Sequence, residues 1–100
     1  LLGNSEEVFG ISAGDYTWAQ PMPEVLFRDK NITLVPPLDP ENPLPSCRNA
    51  DAPYHEGQYV VTVDGFLVSD NVTVNSATVI DTGFAYSDHN PVTMTFTLQP

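Results

Sequence analysis

Basic residues are the scarcest class in this sequence of 100 residues: three Lys and Arg stand against thirteen Asp and Glu, a formal net charge of -10. All three cations, Arg28, Lys30 and Arg48, precede residue 49, and none follows. Nucleic-acid backbones are held mainly by cations that displace counterions, so this chain supplies no basic stripe for a phosphate polymer. Cysteine is scarce too. A single Cys47 excludes an internal disulfide framework and leaves a buried free thiol, a partner elsewhere, or metal chemistry. No run approaches the roughly 18 apolar residues of a membrane helix. No secretory leader and no initiator Met are present. The opening Leu1-Leu2-Gly3 reads as an interior cut, so the compartment stays open.

What is present is globular in composition. Hydrophobic residues make up 41% of the chain and charged residues only 16%, too apolar and too weakly charged for a disordered segment. The excess acid makes a surface that repels anionic polymers and attracts divalent cations. The chain divides into a loop-rich part, residues 1–57, and a strand-rich part, residues 58–98. Five of the ten prolines lie in residues 36–45. Proline fixes its own φ and pushes its predecessor out of the α region, so this stretch is an extended loop. Asn4 and Glu7 have capping-box spacing and Gly10 can close that turn. Pro23 can open a short helix over Glu24–Arg28, and Ile32–Val35 can be a brief strand. Gly14-Asp15-Tyr16-Thr17 reads as a loop, and Tyr16, Trp18 and Tyr54 either stack on a ligand or, as such residues more often do, cover core or loop. His55 beside Glu56 reads as solvated loop.

Tyr59–Val63 is β-branched and aromatic, apolar on both faces, and reads as a strand covered on both sides. Phe66-Leu67-Val68 continues it past Gly65. Ser69-Asp70-Asn71 is turn chemistry that can make a hairpin into a strand from Val72 to Ile80. Val92–Leu98 alternates strictly, with Val92, Met94, Phe96 and Leu98 on one face and three threonines on the other. Such strands need a covered apolar face, and the helices available here are short. An exposed edge invites another chain, so a preceding part of the sheet is expected.

Chemistry concentrates in Tyr86-Ser87-Asp88-His89-Asn90-Pro91-Val92. Asn90-Pro91 forces an extended exit into the last strand, which puts Asp88 and His89 on a rim. A histidine serves as acid or base near neutrality if a carboxylate fixes its tautomer. Asp88 is its direct neighbour, and neighbours in extended chain point to opposite faces. Asp64, which interrupts the apolar run Val63-Asp64-Gly65-Phe66, is the better partner, because a buried carboxylate costs several kcal/mol without one. The bland alternative is an ordinary Asp-His-Asn turn, with Asp64-Gly65 a bulge. Asn31-Ile32-Thr33 and Asn71-Val72-Thr73 also fit the glycosylation acceptor pattern, as chance does in a Thr-rich chain.

Ser87-Asp88-His89-Asn90-Pro91-Val92 before an alternating strand resembles the terminal motif of the endonuclease/exonuclease/phosphatase family, the deoxyribonuclease I-like metal-dependent phosphoesterases. Val63-Asp64-Gly65-Phe66-Leu67-Val68-Ser69 resembles its penultimate motif. Pro45-Ser46-Cys47-Arg48 with Pro53-Tyr54 resembles a bacterial-type branch, so the likeness covers about Ser46 to Leu98. It implies an α/β (α+β) fold, with this chain as the C-terminal part of a four-layer α/β sandwich. That part would be mostly antiparallel strands with short helices and a proline-rich loop. It implies Mg²⁺- or Mn²⁺-dependent cleavage of phosphoesters, with His89 at the scissile phosphate. Asp64 would orient His89, and Asp88 would serve a metal position or the hydrogen-bond network. The family's N-terminal Asn, Glu metal ligand, mid-chain His or Tyr and Gly-Asp-Phe-Asn motif are absent. The resemblance therefore implies a missing N-terminal half of the same domain and no turnover without it. Acidity favours a small phosphoester or phospholipid headgroup over nucleic acid. The alternative is a small all-β interaction module without catalysis.

Overall fold

The computed structural model describes residues 1–27 and 30–100. It is a small, mostly β domain of antiparallel strands with very little helix, elongated to 46 × 27 × 23 Å. Helix α1, Ser5–Phe9, ends where the sequence places it. Gly10 takes the left-handed conformation (φ 63°), which glycine adopts without a Cβ clash, and its N–H donates to the Glu6 carbonyl. The capping box does not form. Asn4 makes no side-chain cap, and Glu6 rather than Glu7 accepts a backbone hydrogen bond, from Ala13 N–H. Pro23 precedes a single 3₁₀ turn, Glu24–Leu26. The expected end of that helix, Arg28, lies outside the described residues. Residues 36–45 are non-helical, as five prolines require.

Among the described residues six strands follow: β1 (Ile32–Val35), β2 (Cys47–Arg48), β3 (Val60–Val61), β4 (Phe66–Ser69), β5 (Val72–Val79) and β6 (Val92–Leu98). They form three antiparallel pairs, β1–β4, β2–β3 and β5–β6. Two expectations are corrected. Tyr59–Val63 is not one strand running on through Gly65. Only Val60–Val61 pairs, because the next amides find other acceptors: Thr62 N–H donates to Ser5 Oγ, and Val63 and Asp64 N–H donate to Ser46 Oγ. Nor does Asp70-Asn71 close a hairpin. The turn is there, but β4 pairs back with β1 (Val35 opposite Phe66) while β5 pairs with β6.

The β5–β6 register puts like with like. Val72 faces Leu98, Val74 faces Phe96, Ala77 faces Met94 and Val79 faces Val92. A bulge between Val74 and Ser76 inserts one residue and restores the phase of the apolar side. This apolar face is covered at one end only. Val79 is buried, whereas Phe96 and Leu98 are 55% and 63% exposed. The core lies toward the Val79 end, where Asn90 N–H donates to Ser46 O and Leu2, Ser5, Ala19, Ser46, Val61 and Thr62 are buried. The total surface of 6305 Å² exceeds the roughly 5,600 Å² expected of a compact monomer of this mass. The excess fits an apolar face without a cover.

Candidate functional site

The site is built around Ser46–Arg48. On one side β2 pairs with β3, Cys47 opposite Val61. On the other side the chain before β6 comes alongside, with Cys47 and His89 forming an antiparallel bridge. Arg48 N–H donates to Asp88 O (2.9 Å) and Asn90 N–H donates to Ser46 O (2.8 Å). Asp88 and His89 therefore sit at the end of the β5–β6 connection, and Asp64 just beyond β3. The two are neighbours across Ser46–Cys47 rather than on adjacent strands.

Two buried side chains fix these positions. Ser46, wholly buried, accepts from Val63 N–H (2.9 Å) and Asp64 N–H (3.2 Å) through its Oγ. Asn90, also buried, gathers the connection. Its Oδ1 accepts from Thr82 N–H (3.2 Å), Thr82 Oγ1–H (2.7 Å) and Phe84 N–H (3.4 Å), and its Nδ2 donates to Pro45 O (3.0 Å). Phe84 accepts a left-handed backbone (φ 55°), unusual for a bulky residue. It is held there by the Asn90 bond and by packing against Tyr54, with Arg48 over its ring.

His89 Nδ1 and Asp64 Oδ2 are 2.8 Å apart. The imidazole is 45% exposed and the carboxylate 33% exposed, so Asp64 is half-buried at a rim and not sunk in the core as its apolar flanks predict. With Nδ1–H donating to the carboxylate, the second nitrogen is left as an acceptor. That atom, Nε2, lies 3.7 Å from Cys47 Sγ. Cys47 is the buried free thiol that scarcity of cysteine suggests. Burial, and then the charges of Asp88 and Asp64, push its pKa up to about 11, so near neutrality it is a protonated neighbour and no nucleophile.

His89 opens on a cleft of about 590 Å³, whose wall also includes Trp18, Cys47, Arg48, Asn49 and Asp88. Asp88 is half-buried. It bonds weakly to Ser87 Oγ–H (3.4 Å) and makes no bond to His89, in line with the opposite-faces argument. Among the described residues no three His, Cys, Asp or Glu side chains converge to cage a metal ion. A lone carboxylate such as Asp88 suits only a cation that keeps most of its water and leans on substrate oxygens, as Mg²⁺ does. His55 stays in solvated loop, its ring against the Glu56 carbonyl.

Sequence reasoning finds Asp64 and His89. It offers Trp18 as a ring that could stack on a ligand without placing it beside His89, and it does not find the buried anchors Ser46 and Asn90 or the thiol beside Nε2. Ser46, Cys47 and Asn90 lie inside the motifs that carry the family resemblance, and that membership is the signal the sequence holds for them. No described helix is long and apolar enough to cross a membrane. Compared with known proteins, the chain matches no family model, no curated protein and no solved structure.

Proposed function

We propose that this chain is the C-terminal part of a divalent-metal-dependent phosphoester hydrolase, with His89 as the proton-handling group, Asp64 as its orienter and Asp88 as a metal-linked carboxylate. The observation that carries the reading is the 2.8 Å contact between Asp64 and His89 at the mouth of an open cleft. The two residues are 25 positions apart in sequence. The pair does what general acid–base chemistry needs: the carboxylate fixes the tautomer, offsets the imidazolium charge and leaves Nε2 toward the reacting group. A bound Mg²⁺ or Mn²⁺ would offset phosphate charge. Asp88 supplies one ligand, and the remaining ligands come from outside these residues.

The uncovered apolar face of β5–β6 supports a second part of the proposal. A preceding half of the same domain packs there, completing a four-layer α/β sandwich and supplying the principal metal ligand. The acidic surface favours a small phosphoester or a phospholipid headgroup over nucleic acid. The exposed Phe96 and Leu98 equally suit the alternative, an interaction module without catalysis. The test is hydrolysis of p-nitrophenyl phosphate and bis-p-nitrophenyl phosphate by the protein in its full polypeptide, with Mg²⁺ and with EDTA. Turnover that EDTA abolishes and His89→Ala removes is expected. Absence of turnover on both esters with metal present leaves the interaction module.

A further inference from the structure

We infer that Trp18 walls a subsite beside His89 that takes an uncharged planar ring, so that the ester cleaved carries an aryl or nucleobase group. The inference rests on the phosphoester reading of the Asp64–His89 pair. Trp18 lies 71 positions before His89 in the sequence, yet both line the same cleft of about 590 Å³, a volume within the range of small-ligand sites.

The indole is built in. It stacks on Tyr16 (centroids 5.9 Å apart, 16° between planes) and meets Tyr59 edge-on (5.8 Å, 90°), while Tyr16 and Tyr59 meet edge-on at 4.8 Å. Tyr59 Oη–H donates to Ser12 O (2.7 Å), Gly14 N–H donates to Ala19 O, and Ala19 is wholly buried. The loop carrying Trp18 is therefore pinned at both ends. Even so, Trp18 keeps 44% of its surface exposed. A large ring held rigidly and left half open spends little entropy when a second ring stacks on it.

The polar side of the cleft decides what that ring can be. Arg48 is the cation in the wall, but its Nη1 donates to Asn49 O (3.1 Å) and Ala52 O (2.8 Å). Asn49 Nδ2 is turned to Asp51 (3.2 Å). Arg48 Nε is buried without a partner, closed off from the cleft, and Asp51 and Asp88 in the wall repel a second anionic group. The acidic wall therefore favours a neutral group beyond the reacting phosphate, and the open face of Trp18 a flat one.

Trp18 is the single tryptophan of these 100 residues, so in the full polypeptide the part of the 295 nm emission change that Trp18→Phe removes reports this subsite. The experiment titrates the protein, in Mg²⁺ buffer, with phenyl phosphate, methyl phosphate and phenol, by calorimetry and by Trp18 fluorescence. Phenyl phosphate should bind about tenfold tighter than methyl phosphate and quench the indole, within the scale of one ring stacked on an aromatic side chain. Trp18→Phe should keep most of the margin. Trp18→Ala should erase it with the circular dichroism unchanged. Equal binding of the two phosphates overturns the ring subsite and leaves the phosphoester reading intact. Phenol binding as tightly as phenyl phosphate overturns the phosphoester reading and leaves the ring subsite. Binding of none of the three overturns the subsite, and hydrolysis of p-nitrophenyl phosphate then decides the phosphoester reading separately.

Discussion

Ser46 holds Asp64 by its backbone: a wholly buried hydroxyl accepts the amide of Asp64 and that of Val63 before it. The carboxylate facing His89 thus stands on a serine 18 positions earlier. Ser46→Ala leaves two half-buried amides without their acceptor, and such a loss costs about 1–3 kcal/mol when the group is fully buried and less here. Urea unfolding of this variant should show a loss of about 1–3 kcal/mol for the two together. The His89 imidazole resonances should also shift as Asp64 drifts from Nδ1. A variant with wild-type stability and wild-type His89 signals would show that the hydroxyl is not what sets the carboxylate.

The pair itself is tested by unequal substitutions. His89→Ala removes the proton-handling group, and Asp64→Asn keeps the shape while removing the charge that stabilises imidazolium. Each should cut Mg²⁺-dependent phosphoester turnover of the full polypeptide at least about a hundredfold, the scale of general acid–base groups. The double variant should lose little more than the worse single one, because the two side chains act as a unit. Unchanged turnover in both single variants removes these roles.

The strand β6 was legible because one side of it is apolar at every second residue from Val92 to Leu98, and a period of two has one structural meaning. β5 carried its own clue: Val72 and Val74 share one phase, Ala77 and Val79 the other, and the bulge between Val74 and Ser76 absorbs the change. Tyr59–Val63 misled because β-branched composition records what a pleated surface tolerates, not where amides find partners. Those of Thr62, Val63 and Asp64 go to serine hydroxyls 57, 17 and 18 positions away. The Asp64–His89 contact could be argued from the cost of an uncompensated carboxylate. The contact of Cys47 with Nε2, across 42 positions, carries no local signature, since a free cysteine reads the same wherever it is buried.

Asn90 is the clasp of the motif loop. Its amide makes four hydrogen bonds, three accepted and one donated, spanning the connection from Thr82 to Asn90 and reaching back to Pro45. Asn90→Ala deletes all four in a buried place. At about 4–8 °C per kcal/mol for a domain of this size, the midpoint of thermal unfolding should fall by at least about 10 °C. Asn90→Asp keeps the acceptors but loses the donor to Pro45 and buries a charge, so it should also destabilise, and more at neutral than at acid pH. A shift under about 2 °C for Asn90→Ala would show that water replaces the amide without cost.

Cys47 gives the pH prediction. Its ordinary value is 9.0, and burial first, then Asp88 and Asp64, raise it to about 11 in the folded chain. The folded state therefore holds the thiol proton more tightly than the unfolded one. The stability this confers is complete below pH 9 and is lost as pH climbs from 9 toward 11. Denaturant unfolding should show stability falling across that window, and Cys47→Ala should flatten the fall. Reactivity follows the same sign, because the thiolate is the attacking species. At pH 7.5 iodoacetamide should modify folded Cys47 on the order of a hundredfold more slowly than the same thiol in urea, with a rate that climbs steadily toward pH 11. Once attached, the adduct lies 3.7 Å from His89 Nε2 and should abolish phosphoester turnover by occupying the space the reacting group needs. Rapid alkylation at pH 7.5, or full turnover after stoichiometric labelling, would place the thiol outside the site.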